Sequence, residues 1–406
     1  MSSQKLYLIF VLVIFSAFVG GAYLLESIGI KYTSPGGSPI VKIHIFAYIA
    51  IGMFANTIIN SDISSLVSRM RGFSVYWLVS FFSINFATLC ALYRFGTSGI
   101  AYLVVTILAA LVLIPYVYRL DDRHKLQLLK FSSLLLLCNS CIAIIEFALQ
   151  KTIIPVEFTV FSYFRSTALL ANPLNNSLIT ATLALLLIRY TTMPKVVYFS
   201  ITVLALFSFG GRAGVAIFLL MTFLGTIGTI RQFISGGVAI SKLRFAVLQI
   251  LFVVVLSFLF YLVVQTNISD RISNKMFFDS SAQARFDSML LLDQLSLYEW
   301  FFGATTDLKN NISFYLGIDI IENYFVAWVM DFGLFGAVPI LISIFTPLIY
   351  FFINGDKTTR ITIFIFMFIS FSNNALATKT PVLVFLYTLI VCHSQLCQTK
   401  RNSSSV

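Results

Sequence analysis

Apolar residues run for about twenty positions at a time along most of this chain. Short polar stretches holding Gly, Pro, Asn and charged residues break the runs. A helix that is hydrophobic all round is buried in protein or in lipid. About 20 such residues cross the ~30 Å hydrocarbon core of a bilayer. On this pattern twelve spans are expected, at 6–25, 42–60, 74–93, 99–118, 131–149, 172–190, 196–211, 213–230, 246–264, 332–353, 361–376 and 379–393. The last pair is interrupted by SFSNNALATKT, which leaves open two tilted or broken helices or one re-entrant unit. One polar segment is long, 265–322. Within it SSAQARFDSMLLLDQLSLYEWFFG places Phe286, Met289, Leu290, Leu292 and Leu297 at spacings that predict an amphipathic helix on the membrane surface.

Composition strengthens this picture. Of 406 residues, 59% are hydrophobic and 11% charged, against ~25% charged in soluble domains. The expectation is an all-α polytopic membrane protein, one integral membrane domain over 1–406, with 265–322 as its long extramembrane loop. The first run, Leu6 to Leu25, is a full span longer than a signal-peptide core and reads as an uncleaved anchor. Five cysteines, an odd number lying in or beside apolar runs, give no disulfide framework. The CNSC pair Cys138 and Cys141 falls mid-helix among leucines and reads as packing.

The net charge of +11 then reads as topology. With the N-terminus inside, most short-loop Lys and Arg, among them Arg69, Arg71, Arg119, Arg123, Lys195 and Arg360, fall on the cytoplasmic side. Both termini are expected in the cytoplasm. Lipid rather than nucleic acid is the expected surrounding.

Three arginines oppose that trend. Arg165 lies in FSYFRSTALLANPLNNS, Arg212 in SFGGRAG, and Arg285 in the long outer loop. At the bilayer centre an arginine costs at least ~3 kcal/mol. A turn at the outer interface is cheaper, and an arginine there can serve simply by reaching the headgroups. Gly210, Gly211 and Gly214 permit a tight turn and a close approach to a ligand. Guanidinium groups match phosphate oxygens bidentately, so the three together point to a shared site for a di-anionic group. Glu322, with Asn323, closes the long loop. It is placed to act as a general base or to pair with an arginine. Asp331 takes no role, and Lys379 in ATKTP reads as an interfacial anchor.

These segments, in this order, resemble the O-antigen polymerase and ligase superfamily. YTSPGGSPIVKIHIFAYI (32–49) is similar to its Pro-Gly-Ser-Pro, Lys-Ile-His start before the second helix. FRSTALLANPLNNS is similar to its Arg, small-residue, Asn-Pro pattern, and SFGGRAG to its Ser-Arg-Gly turn. Arg285, WFFGATT and ENYFVAWVMDFGLFG are similar to its long-loop Arg, Gly and Glu-Asn followed by a glycine-containing helix. Departures exist: STALLA and GATT each lack a glycine common in the family. The paired-loop arginine spacing of some polymerases is absent too.

The resemblance implies a GT-C-like membrane glycosyltransferase. It would join undecaprenyl-diphosphate-linked oligosaccharide repeats into O-antigen, capsule or exopolysaccharide on the periplasmic face. Arg165, Arg212 and Arg285 would bind the diphosphate, Arg212 and Arg285 would act catalytically with Glu322, and Asn172, Asn176 and Asn323 would contact substrate. No cofactor or metal is expected, and a chain-length regulator is an expected partner. The ligase, which uses lipid A–core as acceptor, usually carries a functional histidine in the long loop. The three histidines here, His44, His124 and His393, all lie elsewhere, which favours a polymerase. A lipid-linked oligosaccharide flippase is the alternative outside the class.

Overall fold

The computed structural model describes residues 2–33, 38–60, 62–154, 164–170, 172–236, 288–316, 323–371 and 374–404, with 246, 249, 250 and 321. These residues form helices and turns, with no strand among them. In chain order the helices are α1 (Ser3–Val19), α2 (Ala22–Ser27), α3 (Ile45–Ile59), α4 (Ile63–Ser68), α5 (Ser74–Phe95) and α6 (Thr97–Leu103). A π-helical turn, Val104–Leu108, joins α6 to α7 (Ala109–Val117). Then come α8 (Asp122–Leu149), α9 (Pro173–Leu187), α10 (Lys195–Ser208) and α11 (Arg212–Gly236). The remainder are α12 (Leu297–Phe302), α13 (Thr306–Leu316), α14 (Tyr324–Asn354), α15 (Lys357–Phe371) and α16 (Val382–Ser404).

Among the described residues, five segments are long and apolar enough to cross a membrane: Arg71–Phe95, Ile100–Val117, Asp122–Leu149, Tyr324–Asn354 and Val382–Thr399. The chain is an all-α membrane protein. The helices α1, α3, α9 and α10 are equally apolar but only 14 to 17 residues long. At 1.5 Å per residue they fall short of a ~30 Å core. Every expected span except the ninth, 246–264, has a helix on it; that one lies almost wholly outside the described residues.

Boundaries differ from the hydropathy pattern where polar chemistry sets them. The helix α8 begins at Asp122, one turn and more before the apolar run. The helix α14 begins at Tyr324 and bends at Gly333 (φ 64°), so the expected start at 332 marks a kink rather than an end. The interrupted pair at the C-terminal end resolves into two helices. Phe371 ends one, a 3₁₀ turn at Ala375–Ala377 follows, and α16 opens after Pro381. The expected amphipathic helix is broken within its described part. A 3₁₀ turn (Leu291–Gln294) ends in extended Leu295, and Ser296 and Glu299 form a capping box that starts α12 afresh.

The centre of the bundle is α7, α9 and the first half of α16, where nearly every side chain is buried. Around it, α5, α8 and α14 present exposed Phe82, Phe86, Leu134 and Phe352 on their outer faces, as lipid-facing helices do.

The bundle has two ends. At one, Ser3 bonds His124 (2.8 Å), Arg119 meets Asp62 (2.6 Å), Phe73 packs on Tyr118 and Phe351, and His393 and Arg189 meet Asp356 (3.1 Å each). This basic end gathers the turns expected to be cytoplasmic. At the other end His44 bonds Gly20 (2.7 Å), Lys379 bonds Tyr32 (2.8 Å), and Ser166 bonds Ser208 (3.0 Å). The segments singled out from the sequence converge there.

Candidate functional site

The turn between α10 and α11 is built by glycine. Gly210 takes φ 70°, a left-handed conformation that favours glycine, and the chain reverses to begin α11 at Arg212. A Cβ on Gly210 would sit 3.2 Å from the Nε of Arg165. The Arg165 side chain, from Cγ to Nε, therefore lies against the turn that carries Arg212. Gly211 and Gly214 face Ser177 of α9, whose hydroxyl would collide with a Cβ on either. Arg212 is exposed, and Arg165 is partly buried. Two of the three arginines are thus brought to one place. Arg285 lies outside the described residues, as does Glu322.

The loop that follows Arg165 is held by a residue that the sequence did not single out. Glu146, near the end of α8, is fully buried. Its carboxylate accepts from the backbone N–H of Ile153 (2.8 Å), Thr167 (2.8 Å) and Ala168 (2.9 Å). It ties down the loop following Arg165, including Ala168, which is held at φ 43°. Asn139, one turn and more below, accepts from Leu169 N–H (3.0 Å) and donates to Asn176 (2.9 Å). Asn176 in turn donates to Thr167 O (2.6 Å). A buried carboxylate and two buried amides thus shape the FRSTALLANP segment. In sequence Glu146 and Asn139 are isolated polar residues in an apolar run, while Asn176 is expected at the substrate.

The three asparagines expected at the substrate all have structural duties. Asn172 caps α9, accepting from Leu174 and Asn175 N–H, with Pro173 in the first turn where its missing N–H costs nothing. Asn323 caps α14 in the same way. Asn176 is the buried hub just described. Of these, Asn172 also borders a cavity.

That cavity, about 310 Å³, opens at this end of the bundle between α1, α3, α9 and the segment before α16. Tyr32, His44, Asn172, Asn175 and Lys379 supply its polar wall. The π-helical turn places Thr106 to accept from Thr380 N–H (3.3 Å) and donate to Thr378 O (3.1 Å), which clamps the residues either side of Lys379. Such π turns interrupt helices most often at functional positions. The ammonium of Lys379 donates to Tyr32 O and lies 4.4 Å from the centre of the Tyr32 ring. Burial, with Lys42 nearby, pulls its pKa down to about 8. His44 donates from Nε2 to Gly20 O and accepts Phe46 N–H on Nδ1, capping α3, so it is held neutral. Burial likewise lowers its pKa. The motif 32–49 therefore forms a wall of this cavity, and Lys379 is more enclosed than an interfacial anchor.

A second knot lies at the same end. Gly303 (φ 89°) and Gly333 pack backbone to backbone, Ala304 N–H bonds Met330 O (2.8 Å), and Arg94 donates to Ala304 O. Asp331 pairs with Lys309 (2.6 Å). In α12, Glu299 accepts from the backbone N–H groups of Thr305 and Ser296, which hold its carboxyl down to about 2. WFFGATT and the glycines of DFGLFG are thus parts of one joint that seats α12 on the kink of α14.

At the basic end, Asp356, His393 and Cys397 cluster. Each is engaged within the protein. His393 lies between Tyr190 (2.6 Å) and Asp356, and Asp356 caps α15 through Thr359 (2.9 Å). The cluster reads as a helix-packing device.

The fold and site together define an all-α membrane protein with a cationic, glycine-rich polar site at one end. No family model, curated protein or solved structure matches the chain.

Proposed function

We propose that this chain is a membrane glycosyltransferase that polymerises undecaprenyl-diphosphate-linked oligosaccharide repeats at the periplasmic face of the inner membrane. In this reading twelve helices cross the bilayer in a GT-C-like arrangement, and both termini are cytoplasmic. The observation that carries it is the pairing of Arg165 with the Arg212 turn at the end of the bundle opposite the basic end. The reaction breaks the bond between the sugar anomeric carbon and the diphosphate oxygen. It forms a glycosidic bond to a hydroxyl of the next repeat. Negative charge develops on the departing diphosphate, and fixed guanidinium groups stabilise it. The acceptor proton passes to Glu322, and Arg285 joins the diphosphate clamp.

The test is polymer formation in vitro from purified lipid-linked repeat, with gel analysis of surface glycan in a deletion strain. A polymerase leaves single repeats capping lipid A–core on deletion. Lipid-linked polymer that never reaches the core identifies a ligase, and loss of all outer-leaflet repeats identifies a flippase. Glu322→Gln is expected to abolish most polymer at unchanged protein level.

A further inference from the structure

Asn175 stands out within the cavity. It is 6% exposed, and its Oδ1 is buried without a hydrogen-bond partner. The neighbouring asparagines each close their bonds inside the protein, whereas this carboxamide does not. An unsatisfied buried acceptor costs free energy, and an apolar side chain of the same size would avoid the cost. On the same cavity the Lys379 ammonium donates to Tyr32 O, one of the three bonds that an ammonium can donate. The volume is at the low end of the ~300–1,000 Å³ range of small-molecule sites. The N-terminal turn of α9 separates the cavity from the arginine turn: Asn172 and Asn175 border the cavity, while Ser177 meets Gly211 and Gly214.

We infer that this cavity seats a sugar ring of the lipid-linked glycan, with a sugar hydroxyl on the Asn175 carboxamide and a sugar oxygen on the Lys379 ammonium. This inference rests on the glycosyltransferase reading and adds to it the place where the glycan, rather than its diphosphate, is held. A polyhydroxylated ring supplies the donor that Asn175 Oδ1 lacks and acceptors for Lys379. Tyr32, whose ring the Lys379 ammonium overlies, lines the cavity beside them.

The experiment compares two probes on the purified full chain. One is undecaprenyl diphosphate without glycan. The other is lipid-linked repeat extracted from a strain lacking this chain. Asn175→Leu is expected to keep or raise Tm, because it removes an unsatisfied acceptor. It should bind the glycan-free lipid as wild type does and the glycosylated lipid roughly tenfold more weakly. Lys379→Met should show the same selective loss, and Lys379→Arg should restore part of it. Equal affinity of wild type and Asn175→Leu for the glycosylated lipid would show that the cavity holds only water, leaving the polymerase reading intact. Failure of the wild-type chain to bind either lipid would overturn both.

Discussion

The two ends of this bundle use their charges differently. At the basic end the cations meet carboxylates: Arg119 with Asp62, Arg189 with Asp356, Lys125 with Asp122. At the cavity end a buried carboxylate, Glu146, is spent on backbone N–H groups. There Lys379 rests on a carbonyl and a ring, and Arg165 lies along a glycine turn. Charges that close on each other fix helices. Lys309 and Asp331 close on each other at the cavity end too, so the contrast lies in Glu146 and Lys379, which backbone and neutral groups position. The difference teaches which end to test for chemistry, although basic residues crowd the other.

Breaking Glu146 should have the largest effect. Glu146→Ala strands two buried N–H groups, those of Thr167 and Ala168, each costing ~1–3 kcal/mol, and releases the N–H of exposed Ile153. A stability loss of about 3 kcal/mol or more is expected, read as a fall in Tm, with loss of polymer because Arg165 is no longer placed. Unchanged Tm would mean that the loop holds itself.

Arg212→Ala comes next. It should leave Tm nearly unchanged and cut polymer formation roughly ten- to a hundredfold, from a contact of ~1.5–3 kcal/mol. Arg212→Lys should lose much of the same activity if the fork grips phosphate bidentately, and almost none if the side chain only reaches the headgroups. Arg165→Ala combined with it should be less than additive, since both act on one group.

The opposite end supplies the control. Asp356→Ala should cost about 1–3 kcal/mol of stability by stranding His393 and the α15 cap. Activity per folded molecule should be unchanged. Hydrogen bonds from His393 and Thr359 hold the Asp356 carboxyl below its ordinary range despite burial, which acts the other way. Its contribution to stability is present above the ordinary carboxylate pKa and is lost as pH falls below it. A thermal melt from pH 7 to pH 3 should therefore be flatter in Asp356→Ala than in wild type.

The smallest expected effect is at Lys379. The groups around it are Glu26, Lys42, Tyr32 and His44. Its pKa is lowered to about 8 in the folded chain. Between about 8 and the unfolded value of ~10.4 the unfolded state binds the extra proton, so stability from this group rises over that window. Glycan affinity should fall over the same window as the ammonium is lost. Lys379→Met should flatten both trends.

Much of the fold was legible in the sequence because lipid and apolar core ask the same thing of a helix. Long apolar runs, Asn-Pro starts and glycine turns carry local signals, and they located α5, α9, α10 and the Arg212 turn. The pattern could not show where α14 bends, since Gly333 becomes a kink only when Gly303 packs against it. Nor could it give Glu146, Asn139 and Asn175 their meaning. Glu146 and Asn139 are polar residues in a largely apolar stretch and Asn175 is one of three clustered asparagines; the role of each depends on partners from 7 to 37 positions away or, for Asn175 Oδ1, on having none. The sequence by itself determined a membrane-embedded helical protein, its basic end, and that Arg165 and Arg212 belong to the other. Only the tertiary structure decided that Arg165 lies against the Arg212 turn and that Lys379 and Asn175 face one cavity. The physical reason is that hydrophobicity is a property of each segment, while hydrogen-bond satisfaction is a property of pairs that only folding brings together.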